Sequence, residues 1–215
     1  MKQALTPNTE KIFEKISKME SIKPFLLVGG TALSLQINHR KSEDLDFMKW
    51  RTSKNEKMEV DWFAIEKELN EIGKITSKNL LDIYLVDFVV DGVKLSFYAT
   101  EKYSPVVDII DFQNNIKLAD IKSIMAMKME VLTRRNVFRD YYDIYAMLKK
   151  GINIHESIGL ATKYSGHRLK TKNLISILTN SLRFKIDSDF KNLDPIYNVT
   201  PMEIELYIKE RLKNN

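Results

Sequence analysis

Asp44 and Asp46, two residues apart in the run SEDLDFMKW, are the side chains whose type and spacing best suit chemistry. Apolar Leu45 and Phe47 alternate with them, as expected of a strand. Strand side chains repeat with a period of two, so both carboxylates project from one face and the apolar pair from the other. Two adjacent carboxylates repel each other. A pair of divalent ions is the usual resolution, because hard Mg²⁺ takes carboxylate oxygens and keeps its other positions for water and phosphate. Just upstream, Phe25–Val28 reads as a buried strand, followed by Gly29-Gly30 and a helix expected to begin near Thr31. A glycine turn feeding a helix N-terminus offers backbone N–H groups and partial positive charge to a phosphate tail.

These residues need elements to position them. Residues 7–21 read as a helix with Ile12, Phe13, Ile16 and Met19 on its apolar face, capped near Thr6-Pro7 and packing on a sheet without a chemical role. His39, Arg40 and Lys41 precede the acids. Arg40 or Lys41 could approach a triphosphate, although a solvated surface loop is the weightier reading for either alone. His39 has no second His at ligand spacing. Residues 61–72 read as a helix capped by Asp61 and ended by Gly73. Short strands follow at 74–78, 82–90, 93–99 and 105–110, with Asp91-Gly92 a hairpin turn. From Leu118 onward the pattern is helical. Over 118–134, Lys128 falls inside the stripe formed by Ile121 and Ile124, where lysine must either snorkel outward or point its ammonium into a cleft. Lys122 and Glu130 fall on the polar flanks and are expected to be solvated. Residues 139–149 form the next helix, with Asp140 and Asp143 neighbouring at i, i+3 and Tyr141, Tyr142 and Tyr145 expected to pack between helices. Helices over 154–164, 172–182 and 201–213 complete the chain, with Lys163, His167, Arg168, Lys170, Lys172, Arg183 and Lys185 between and around them.

The run GGTALSLQ…RKSEDLDF resembles the nucleotidyltransferase superfamily, whose signature is a strand, a Gly-Gly or Gly-Ser turn and an Asp-x-Asp on the next strand. Within it the wording looks most like the AbiEii/AbiGii toxin-type nucleotidyltransferases of abortive-infection and toxin–antitoxin systems. Residues 127–145, MKMEVLTRRNVFRDYYDIY, are similar to that family's Lys…Arg…Asp-Tyr-Tyr-Asp segment. The resemblance implies an α+β fold: a nucleotidyltransferase-type mixed sheet with flanking helices over 1–116, then a C-terminal helical bundle over 117–215 that completes the cleft. It implies a Mg²⁺- or Mn²⁺-dependent transferase of the EC 2.7.7 type, moving a nucleotide from an NTP to an acceptor hydroxyl. Asp44 and Asp46 would hold metal and act in catalysis. Gly29, Gly30, Thr31, Arg40 and Ser42 would bind the nucleotide. Lys128 would meet phosphate, with Asp140 first and Asp143 second as its partners or as groups that position the nucleophile. In the wider superfamily a third acid often lies where Ser96 stands here. The site therefore works with two carboxylates, draws an acid from elsewhere, or is weakened.

Composition narrows the partners. Net charge is +5, which favours a polyanion as much as it reflects a Lys-rich solvated surface. Together with the resemblance, this charge makes RNA or tRNA the favoured acceptor, ahead of a protein or small molecule, and the resemblance implies a cognate antitoxin as protein partner. There is no Cys, which excludes disulfides and thiolate metal sites and fits a cytoplasmic protein. No apolar run reaches the roughly 18–20 residues of a membrane span. The missing third acid also leaves a rival of another class, a non-catalytic nucleotide- or RNA-binding module. A structural protein on the same fold is a weaker third reading.

Overall fold

A computed structural model of the chain describes residues 4–214. The chain divides into two compact units, residues 1–120 and 121–215. The first contains a seven-stranded mixed sheet in the order β3-β4-β5-β2-β1-β7-β6. Its strands are β1 (Leu26–Val28), β2 (Leu45–Arg51), β3 (Ile75–Asp82), β4 (Leu85–Val90), β5 (Val93–Tyr103), β6 (Ile109–Gln113) and β7 (Ile116–Ala119). β2 lies antiparallel to β1 and parallel to β5, and β1 lies parallel to β7. Among the described residues, this unit has the helices α1 (Pro7–Ile16), α2 (Gly29–Ile37) and α3 (Trp62–Ile72).

Alternation decides which face of the central strands is buried. Leu45 and Phe47 of β2, Leu95 and Phe97 of β5, and Phe88 of β4 are fully or almost fully buried. Phe47 stacks on Phe97 at 5.1 Å between ring centroids, and Phe25 and Phe88 meet the same ring edge-on. Burying rings of this size contributes on the order of 2 kcal/mol each. The opposite face carries Asp46, Ser96 and Asp87, one from each of three neighbouring strands.

Several boundaries differ from the pattern-based expectation. Residues 116–119 form β7 rather than the first turn of a helix. Leu118 sits three residues before Ile121, which mimics a helical stripe, but Ile116 and Leu118 alternate with exposed Lys117. The turn at Asn114, in the left-handed region at φ 50°, makes β6 and β7 a hairpin, so the expected strand at 105–110 starts at Ile109 instead. α1 stops at Ile16, and the Thr6 hydroxyl at its N-cap accepts no bond from the helix backbone.

The second unit is helical: α4 (Ile121–Val131), α5 (Phe138–Lys149), α6 (Ile154–Tyr164), α7 (Thr171–Leu178), α8 (Pro201–Lys213) and two short 3₁₀ turns. α8 starts with a complete capping box, Thr200 and Glu203 bonding each other's backbone N–H. α4 is buried almost all round, from Ser123 to Glu130. Glu130, expected in solvent, is buried and ion-paired with Arg134. Tyr141 stacks on Phe184, Tyr142 meets Phe138 and Phe190, and Tyr145 meets Tyr197 and Tyr207, so these rings do pack against their neighbours.

Candidate active site

In the first unit the sequence motif becomes a strand, a tight turn and a helix. Gly29 directly follows β1 and is already the first residue of α2, two positions earlier than expected. Its φ is +68°, a left-handed conformation that disfavours a side chain. A Cβ there would lie 2.7 Å from Oδ2 of Asp46, so the backbone at Gly29 and the carboxylate of Asp46 occupy the same few ångströms. The register explains this: Val28 pairs with Asp46 across β1 and β2. Gly30 is open for a similar reason. A Cβ there would run into the guanidinium of Arg40 and lie 3.3 Å from Oγ of Ser42.

Arg40 and His39 are buried, which corrects the surface-loop reading of this segment. The segment at residues 4–6 lies along the end of this loop. Leu5 bridges to Ser42, Ser42 N–H donates to the Ala4 carbonyl at 2.9 Å, and Thr6 N–H donates to the Ser42 carbonyl at 3.0 Å. Thr31 hydroxyl donates to the backbone carbonyl of Asp44 and lies 2.8 Å from Ser42 Oγ. Thr9, on α1, donates to the Glu43 carbonyl at 2.7 Å. The loop that delivers the acids is therefore pinned by α2 on one side and by the N-terminal segment on the other, a positioning role that periodicity in α1 does not reveal. Asp44 lies one residue before β2, and Asp46 lies within it; both are half-buried.

Three further residues, Ser96, Asp87 and Lys94, share this sheet face. Ser96 pairs with Asp46 on one side and with Asp87 on the other. Lys94, two residues before Ser96, ion-pairs with Asp87 at 2.9 Å. The Asp87 hydrogen bond, helped by the charges of Asp87, Asp46 and Asp44, holds the Lys94 ammonium above its usual pKa against a smaller opposing effect of burial. A cavity of about 460 Å³ is lined by Asp44, Glu43, Lys94 and the first turn of α1. Sequence reasoning missed Asp87 and Lys94. The hairpin turn at Asp91-Gly92 holds the signal, because a two-residue turn pairs Val90 with Val93 and hence Asp87 with Ser96.

The donor set suits a hard divalent cation. Asp44 and Asp46 present carboxylate oxygens only, and the Gly29 backbone leaves room for Asp46 where any Cβ would intrude. Among the described residues no group of three or more His, Cys, Asp or Glu is placed to hold a metal ion. An ion here would complete its shell with water and phosphate oxygens.

In the second unit, Lys128 is buried and lies between two buried aspartates, 2.8 Å from Asp140 Oδ1 and 2.6 Å from Asp143 Oδ2. Arg135 adds a two-pronged contact to Asp140, through Nε at 2.8 Å and Nη2 at 3.1 Å. Burial alone would raise the pKa of Asp140, but the charges and hydrogen bonds of Lys128 and Arg135 hold it below the usual carboxylate value. The lysine that broke the apolar stripe is thus neither snorkelled nor solitary.

The family described as nucleotidyl transferase AbiEii toxin, type IV toxin–antitoxin system, matches residues 11–82 and 71–195, and the chain belongs to it. An uncharacterized Aquifex aeolicus protein, aq_aa25, is 26% identical over 220 residues, covering 97% of this chain and 96% of that one. Two solved Helicobacter pylori structures share the fold. One, described as a candidate nucleotidyltransferase, has a TM-score of 0.57 at 18% identity, covering 96% of this chain and 92% of the other. The second, JHP933, has a TM-score of 0.55 at 19% identity, covering 98% and 92%.

Proposed function

We propose that this protein is a nucleotidyltransferase toxin that moves a nucleoside monophosphate from an NTP to an acceptor hydroxyl. The observation that supports it most is the lodging of the Asp46 carboxylate against the left-handed Gly29 backbone, in a chain of the AbiEii family. A divalent ion, Mg²⁺ or Mn²⁺, would supply neutralisation of the triphosphate when bound. Asp44 and Asp46 would hold it. The first N–H groups of α2, at Gly29, Gly30 and Thr31, suit the anionic tail, and Arg40 and Ser42 brace the backbone around them. The acceptor oxygen forms a bond to the α-phosphorus as the bond to the bridging β-phosphate oxygen breaks. Pyrophosphate leaves, and the hydroxyl proton passes to water. Lys128, whose ammonium Asp140 and Asp143 hold in one place, keeps the phosphate-binding role that the family resemblance implies. Most of the rate would come from positioning and electrostatics. An RNA 3′ end, tRNA included, fits the positive net charge best as acceptor, and a cognate antitoxin fits the family.

The test is transfer of label from each α-³²P NTP to cellular RNA and to protein with Mg²⁺, comparing wild type with Asp44→Ala/Asp46→Ala. Label is expected in the RNA fraction, falling to background in the double variant. Absence of label from every nucleotide, with NTP still binding, would favour the non-catalytic binding module instead.

A further inference from the structure

The face of the sheet that presents Asp44 and Asp46 also presents a cation of its own. Lys94 follows the Asp91-Gly92 turn on β5, the strand that runs parallel beside β2. Leu45 pairs with Leu95, so Lys94 enters β5 at the level where Asp44 enters β2. Asp87 on the far side fixes the ammonium at 2.9 Å. Lys94 lines the same cavity as Asp44, beside Thr6, Asn8 and Thr9 of the α1 start. Ser96, between Asp46 and Asp87, adds no charge.

We propose that Lys94 is the built-in cation of this site, so that Asp44 and Asp46 take one divalent ion rather than the two that a carboxylate pair first suggests. It rests on the nucleotide-transfer role given above. The charges favour it. Glu43, Asp44, Asp46 and Asp87 against Lys94 and Arg40 leave a net charge of −2, which one divalent ion neutralises. A second divalent ion would have to approach an ammonium that Asp87 prevents from swinging away. A lysine offers three N–H donors and no lone pair, so it meets phosphate oxygens directly and cannot ligate a metal. Lys94 thus meets the phosphate oxygens that a second ion would otherwise bridge, and Asp87 acts as its positioning residue. Half of the Lys94 side chain is exposed, so the ammonium is reachable by a ligand in the cavity and its replacement leaves the core intact.

The experiment is a Mn²⁺ titration of the full chain without nucleotide, followed by loss of the free-ion EPR signal. Wild type should bind one Mn²⁺ per chain, and Lys94→Arg should match it. Lys94→Met should bind about tenfold more tightly, because a unit positive charge beside the ion has gone. Lys94→Met/Ser96→Asp should bind two. A lysine that served only as a cross-strand ion pair would leave the Mn²⁺ isotherm unmoved. Two ions in wild type, or a Lys94→Met isotherm equal to wild type, would overturn the proposal. Unchanged Mn²⁺ binding in Asp44→Ala/Asp46→Ala would instead sink the assignment of the acids themselves.

Discussion

A lysine that is buried between Asp140 and Asp143 is held by charges that no water can replace. Removing it leaves two buried carboxylates without the ammonium they share, while Arg135 stays bonded to Asp140. Lys128→Met should therefore cost about 3–5 kcal/mol of folding free energy, read from urea unfolding at neutral pH. The pH dependence has a definite sign. The folded pKa of Asp140 is depressed, so its stabilisation is fully present above the ordinary Asp value of about 3.9 and is lost as pH falls through the lower folded value. Unfolding free energy of the wild type should fall more steeply from about pH 5 to about pH 2 than that of Asp140→Asn. Lys128 was legible from sequence because a lysine inside an apolar stripe needs a partner, and two acids stood one helix away. Lys94 was not legible in the same way. Its meaning depends on which strand lies beside β5, and a single sequence does not state that pairing.

At the level of elements, the strand–turn–helix around Gly29 concentrates most of the site in 18 residues, from Gly29 to Asp46. Gly29→Ala would combine a left-handed φ with a methyl group 2.7 Å from the Asp46 carboxylate. We expect a loss of at least about 1 kcal/mol in stability and a weakening of Mn²⁺ binding, since Asp46 must move aside. Calorimetry on one sample measures both. The β4–β5 hairpin was legible from Asp91-Gly92, whose residues both adopt positive φ, 48° and 81°. β7 was hidden because four residues are too few to separate a period of two from a helical spacing that continues into α4. The bracing of Ser42 and Glu43 was hidden for another reason: Ala4 and Thr6 bond through backbone groups, which every residue has, and the Thr9 hydroxyl meets a backbone carbonyl.

Across the whole chain the excess of five positive charges should show in binding to polyanions. Affinity for a single-stranded RNA should fall between about 50 and about 200 mM KCl, with a log–log slope near −0.7 per phosphate neutralised. Fluorescence anisotropy measures it, and a flat response would remove RNA from consideration as acceptor. Among the described residues no helix is long and apolar enough to cross a membrane. The sheet order has one more consequence. β2 is an interior strand, hydrogen-bonded to β1 on one side and β5 on the other, whereas β3 and β6 form the rims. Backbone amides of β2 should be among the last in the sheet to exchange with deuterium, and the rims among the first. Asp46 is therefore mounted on a strand that cannot melt unless β1 and β5 part. Asp44, one residue before β2, lacks that protection and depends on the bonds that pin its loop.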